Sequence, residues 1–162
     1  MALGQLTIDS RGNIRDKVQA AIDRLRTFEP EEGYYLAFSG GKDSQCVYHL
    51  AKMAGVKFDA HYAVTSVDPP ELVRFIKKNY PDVKFEHHYW PDGRVMTMWN
   101  LIASHTIPPT RQARYCCSAL KEASGGKGDL VVTGVRWAES VRRKQLHGGV
   151  DVRTKSKKII NE

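Results

Sequence analysis

The chain has 162 residues and 18.3 kDa, a length that predicts one domain able to bury roughly 70% of the surface its unfolded form exposes. Hydrophobic residues at 41%, charged residues at 27% and a mean hydropathy of −0.46 exclude a disordered or collagen-like chain, and no apolar run approaches the ~20 residues of a membrane helix. The net charge of +7 is carried wholly by residues 111–162, which hold 12 basic and 5 acidic groups; residues 1–110 hold 13 of each. Such an excess is either a solvated basic face or an anion-binding region for a phosphorylated small molecule or a nucleic acid. The first ten residues lack a basic n-region and a long apolar stretch, so no secretory signal is visible. Three cysteines, two of them adjacent, make a poor disulfide framework, and a reducing cytoplasm is the expected compartment.

In chain order, residues 10–28 read as an amphipathic helix capped by Ser10, with Ile14, Val18, Ala21, Ile22 and Leu25 at helical spacing. Residues 29–33 break it. Residues 34–38 are a short apolar run, read as a buried strand. Residues 39–44 form a turn, and a helix over 45–55 ends at its glycine. A second strand covers 58–64. Pro69 or Pro70 opens a helix to about Asn79. A third strand covers 84–88, a helix 95–103, and Pro108-Pro109 breaks the chain. A short helix over 115–123, a loop over 124–128, a fourth strand over 130–135 and a helix over 137–144 follow. Residues 150–160 read as a basic hairpin. Strands alternating with helices predict an α/β fold, doubly wound, with a mainly parallel sheet and helices on both faces. The chain is expected to be a single nucleotide-binding domain: an N-terminal helix to 28, an α/β core over 34–144 and a basic tail over 145–162. Ligands of such sheets sit beyond the carboxyl ends of the strands, where strand order reverses.

The loop after the first predicted strand reads Ser39-Gly40-Gly41-Lys42-Asp43-Ser44. Two glycines let the backbone approach a ligand and turn successive N–H groups to one point. The following helix offers its N-terminal N–H groups and positive dipole end there. Ser39 and Ser44 add hydroxyls and Lys42 a charge. This combination points to phosphate. It is not a Walker A loop, because Lys42 is followed by Asp43. Arg136, Ser140 and Arg143 fall on one face of the last predicted helix, which starts at the carboxyl end of the fourth strand. That face either meets the same anion or is a surface helix with a Glu139–Arg143 pair. Asp43 and Asp68 both lie at strand-end loops, where either can reach Mg2+ directly or through water; for Asp68 the other reading is turn chemistry ahead of two prolines.

Residues 39–44 resemble the PP-loop of the N-type ATP pyrophosphatases. Three further segments are similar to the phosphoadenosine phosphosulfate (PAPS) reductase family: Val64-Thr-Ser-Val-Asp68-Pro-Pro-Glu71, Cys116-Cys117-Ser-Ala-Leu-Lys121, and Gly134-Val-Arg136-Trp-Ala-Glu139-Ser140-Val-Arg-Arg143. The resemblance implies a nucleotide site of Ser39, Gly40, Gly41, Lys42, Asp43, Ser44, Asp68, Gly134, Arg136, Ser140 and Arg143, with Lys42, Asp43 and Arg143 catalytic. It implies ATP and Mg2+, substrate adenylation with release of pyrophosphate, and a place in sulfur metabolism or sulfur transfer. It also brings a sulfur donor or a thioredoxin-like protein as partner, and nucleic acid as a substrate held by residues 111–162; no membrane is expected. The alternatives are a sulfonucleotide reductase releasing sulfite, and a non-catalytic nucleotide or nucleic-acid binding module. PAPS reductases proper have a degenerate PP-loop and a later nucleophilic cysteine, whereas here the loop is intact and no cysteine follows Cys117. The chain stops where relatives continue, so a short or truncated member is expected.

Cys116 and Cys117 are either a half-buried structural pair or two ligands of an incomplete iron–sulfur site, complete only if further cysteines are supplied. Cys46, near Val47 and Leu50, is expected in the core. His87 and His88 alternate faces of their predicted strand, and His49, His61, His105 and His147 show no ligand spacing.

Overall fold

The computed structural model describes residues 6–8, 14–121, 125 and 129–134. Strand β1 (Leu6–Ile8) pairs antiparallel with β2 (Ile14–Asp16), and helix α1 (Lys17–Thr27) follows directly. The helix predicted from Ser10 therefore starts at Lys17. Ile14 lies at helical spacing from Val18 but belongs to β2. Asp16, not Ser10, is the cap: its Oδ1 accepts the N–H groups of Val18 at 2.9 Å and Gln19 at 3.3 Å.

Four parallel strands make the sheet: β3 (Tyr34–Ala37), β4 (Phe58–Ala63), β5 (Lys84–Glu86) and β6 (Val131–Val132), in the order β5-β4-β3-β6. Helix α2 (Lys42–Ala54) connects β3 to β4, and α3 (Pro70–Asn79) connects β4 to β5. Both steps run the same way across the sheet, so right-handed connections put α2 and α3 on one face. The return from β5 to β6 runs the other way and passes over the opposite face. It carries α4 (Met98–His105) and α5 (Tyr115–Leu120). The protein is thus the expected α/β fold with a parallel sheet. Strand order reverses between β3 and β6.

Alternation sends Tyr34 and Leu36 of β3, Phe38 just past its end, and Ala60 and Tyr62 of β4 to the face under the helices. They meet Tyr48 and Ala51 of α2 and Ile76 of α3. Tyr48 sits edge-on to Phe38 at 5.7 Å, Phe58 at 5.4 Å and Tyr80 at 5.1 Å between ring centres, a geometry that adds to area burial. A separate small cluster of Met96, Leu101 and Leu120 ties α4 to α5.

Several boundaries differ from the predicted ones. Helix α4 starts at Met98, not Val95, because Thr97 and Asn100 form a capping box, each side chain accepting the other's N–H. Val95 instead bridges Tyr89. Strand β5 stops at Glu86, so His87 and His88 lie past the strand that was expected to hold them. Helix α5 stops at Leu120, and β6 is only Val131–Val132 within the predicted 130–135. The predicted helix over 137–144 and hairpin over 150–160 lie outside the described residues.

Candidate functional site

Chain direction fixes the site. Phe38 is buried at the end of β3, and the chain leaves the sheet at the exposed Ser39. Gly40 has φ +73°, the left-handed region that glycine enters without penalty. A Cβ there would stand 2.7 Å from Leu72 Cδ1 and 3.0 Å from Ile76 Cδ1, so α3 closes on the loop. Gly41 is the N-cap of α2 and offers no side-chain acceptor to the first turn. The helix begins at Lys42, ahead of the predicted Gln45, so Lys42, Asp43 and Ser44 form its first turn rather than a loop.

The loop's carbonyls are held from the protein side. Gln45 Nε2 donates to Gly40 O at 2.7 Å, while Tyr80 Oη donates to Gln45 Oε1 at 2.9 Å. Ser44 Oγ donates to Gly41 O at 2.9 Å and accepts from Ser39 N and Ser39 Oγ, each at 3.2 Å. Ser44 is buried and spends its one proton inside the loop; Ser39 Oγ likewise donates to Ser44 Oγ and accepts from Gly41 N at 3.4 Å, which leaves Lys42 as the exposed side chain turned outward. A trans peptide points its N–H opposite to its C=O, so anchoring Gly41 O turns the Lys42 N–H away from Ser44. Gln45 and Tyr80 were not singled out from sequence; a glutamine after a glycine turn carries no spacing signal of its own.

Gly134 follows β6 and meets this loop across the sheet. A Cβ on it would lie 2.9 Å from the carbonyl carbon and oxygen of Asp43 and 3.1 Å from Ser44 N. Only a glycine lets the two backbones approach this closely. The structure thus brings Gly134 together with residues 39–44 at the point where strand order reverses.

Asp68 lies elsewhere on the same edge, in the loop after β4. Its Oδ2 accepts from Tyr62 Oη at 2.7 Å and from the buried Thr65 Oγ1 at 2.5 Å. Burial, reinforced by the hydrogen bond to Asp68, pushes the Tyr62 phenol well above its ordinary value. This is turn chemistry. Asp68 also borders a cavity of about 350 Å³ that Tyr62, Val64 and Ser66 share with Pro70, Val73 and Arg74 of α3. Helix α3 turns Leu72 and Ile76 to Gly40 and the opposite flank to this cavity.

Cys46 is exposed, which corrects its expected core placement. The buried stripe of α2 runs through Ser44, Tyr48 and Ala51, and Cys46 falls off it. Cys116 and Cys117 are half-buried in α5. Burial, then the adjacent Cys117, pushes the Cys116 thiol up, and Arg114 Nη2 donates to Cys117 Sγ at 3.6 Å. Among the described residues no group of three or more His, Cys, Asp or Glu side chains is placed to hold a metal ion. Arg136, Ser140 and Arg143 lie outside the described residues. No described helix is long and apolar enough to cross a membrane. No family model matches this chain, and neither does any curated protein or solved structure.

Proposed function

We propose that the chain is a PP-loop nucleotide-binding enzyme of the PAPS reductase and ATP pyrophosphatase type, which binds ATP and adenylates a substrate with release of pyrophosphate. The observation that carries this reading is the juxtaposition at the switch point: a left-handed Gly40, a side-chain-free N-cap at Gly41, and Gly134 packed onto the first turn of α2. A backbone cradle of this kind suits phosphate, because helix N-terminal N–H groups and the dipole favour negative charge. The β- and γ-phosphates of ATP rest on residues 39–44. A nucleophile attacks the α-phosphate, the bond to the β-phosphate breaks, and negative charge builds on the leaving pyrophosphate. The loop N–H groups and Lys42 stabilise that charge where it forms, so the acceleration is electrostatic. Mg2+ carried with the triphosphate would neutralise part of its charge, and Asp43 would hold it directly or through water. Arg136, Ser140 and Arg143 extend the anion site by the family resemblance. The setting is sulfur metabolism or sulfur transfer in a reducing cytoplasm.

The placement of the whole +7 in residues 111–162 favours one companion reading, a nucleic acid as acceptor or as the ligand of a non-catalytic module. Incubation with Mg·ATP and candidate sulfur acceptors, assayed for pyrophosphate and AMP, tests the proposal. Acceptor-dependent pyrophosphate release is the expected result; no ATP binding and no pyrophosphate would end it. Nucleotide or nucleic-acid binding without turnover, falling steeply with salt, would favour the module.

A further inference from the structure

The glycine pair that opens the loop is also its weak point. Neither residue has a Cβ to resist rotation of the Gly40–Gly41 peptide, and a half-turn of that peptide would exchange its N–H and its carbonyl. One side chain fixes the choice: Gln45 Nε2 donates to Gly40 O at 2.7 Å. A trans peptide points its N–H and C=O to opposite sides, so the Gly41 N–H is turned away from Gln45, where it makes a long contact to Ser39 Oγ at 3.4 Å. The direction of the chain of hydrogen bonds is forced. A carbonyl only accepts, so the NH2 of Gln45 faces Gly40 and Oε1 faces Tyr80. Oε1 also only accepts, so the Tyr80 proton is committed to it, at 2.9 Å. Tyr80 itself is held firmly. It is buried, it ends α3, and its ring packs on Phe38 at 4.8 Å and on Tyr48 at 5.1 Å between centres. The glutamine amide is thus aimed by the core.

We propose that Gln45 is a positioning residue of the nucleotide site: it holds the Gly40–Gly41 peptide with its carbonyl turned to the protein, so that this oxygen does not face the bound phosphate. This rests on the nucleotide reading above and adds to it a residue outside 39–44. A carbonyl turned to the phosphate would set partial negative charge against an anion and withdraw an N–H from it. Without Gln45 the loop keeps its glycines, Lys42 and the helix dipole, but nothing selects the orientation of the peptide. Tyr80 acts one step further back. Its proton on Oε1 keeps the amide of Gln45 from turning over, which would put Oε1 against Gly40 O.

Calorimetric titration of the full chain with Mg·ATP, without acceptor, tests this at about pH 8 and about pH 5. Circular dichroism checks folding at each pH, and every affinity is taken relative to the parent at the same pH, which cancels protonation of the ATP. Gln45→Met keeps length and neutrality but cannot donate. It should bind ATP about tenfold weaker than the parent at both pH values, the effect of one hydrogen bond. Gln45→Glu keeps the bond from Tyr80 and, when ionised, loses the donor and adds a negative charge, so near pH 8 it should bind weaker still. The Gly40 carbonyl facing the introduced carboxyl raises its pKa above the ordinary ~4.3, so near pH 5 it gains a proton and can donate to Gly40 O again. Its affinity should then rise above that of Gln45→Met towards the parent's. A charge effect alone would leave Gln45→Met at the parent's affinity. Parent-like ATP binding by Gln45→Met, or a Gln45→Glu protein that near pH 5 binds no better than Gln45→Met, would overturn the proposal. Absence of ATP binding by the parent would instead end the nucleotide reading, and this proposal with it.

Discussion

The loops after β3 and β4 leave neighbouring parallel strands at the same edge of the sheet, and both lead into helices. They use polar groups in opposite ways. The first loop turns Ser39, Ser44 and Gln45 inward, the last two binding the carbonyls of Gly41 and Gly40, and leaves Lys42 and backbone to face outward. The second uses a side chain, Asp68, to tie Tyr62 and Thr65 together, and ends on two prolines, of which Pro70 opens α3. A surface of N–H groups suits an anion, whereas a loop organised around a carboxylate suits a cationic or hydroxyl group. Neighbouring strands of one sheet can thus carry sites of opposite preference.

The largest expected effect falls on the first loop. Lys42→Ala should leave the fold intact and lower acceptor-dependent pyrophosphate release by on the order of 10²–10³, the usual loss for one preorganised stabilising group. Stopped-time pyrophosphate assays measure it, and unchanged release would remove the contrast between the loops.

Backbone demands come next. Gly40→Ala combines a left-handed φ with a Cβ 2.7 Å from Leu72, and should cost about 2–4 kcal/mol by urea unfolding. Gly55→Ala has a similar φ of +70° but open space, and should cost only about 1–2 kcal/mol. Equal costs would mean that α3 does not press on the glycine loop.

The second loop should respond to hydroxyl removal instead. Thr65→Val takes one buried donor from Asp68 and should destabilise by about 1–3 kcal/mol, with ATP affinity unchanged. A parallel loss of ATP affinity would show that the two loops act as one site.

A smaller effect appears in alkali. The Tyr62 phenol is raised above its unfolded value of 10.0 in the folded state, so folding favours its protonated form. Its contribution is fully present below about pH 10 and declines as pH rises beyond that, because the unfolded chain releases the proton first. Urea midpoints measured from pH 8 to 11 should fall above pH 10, and Tyr62→Phe should reduce the slope. The buried Tyr34 phenol, also raised, leaves a residual slope in that variant.

Much of the fold was legible because it depends on local pattern. The Pro-opened helix was predicted over the residues it occupies, since proline pins the first turn. The start of α1 was not, because Ile14 satisfies both a strand and a helix period. The start of α2 was missed because Gly41-Lys42 reads as a turn when no side chain caps the helix. Within the site, the glycine loop was legible as strand, glycine pair, helix. The inward turn of Ser44 was not, as a hydroxyl can serve either a ligand or a carbonyl. Nor was the support from Gln45 and Tyr80, which depends on how α2 and α3 meet. The role of Gly134 as a point of backbone contact depends on a pairing between distant segments, which spacing along the chain does not encode.

That pairing has a kinetic consequence. Strand β6 joins the sheet through Tyr35↔Val131 and Leu36↔Val132, closing a loop of roughly a hundred residues, whereas β3, β4 and β5 join through much shorter connections. Closure of so long a loop is entropically late in folding, and a two-residue ladder at the end of the sheet is the first to open in the native state. Amide exchange at Val131 and Val132 should therefore proceed by sub-global opening, faster than at Leu36 or Ala60. Each such opening lifts Gly134 off Asp43 and takes apart the close approach of the two backbones at the glycine loop while the rest of the sheet stays folded.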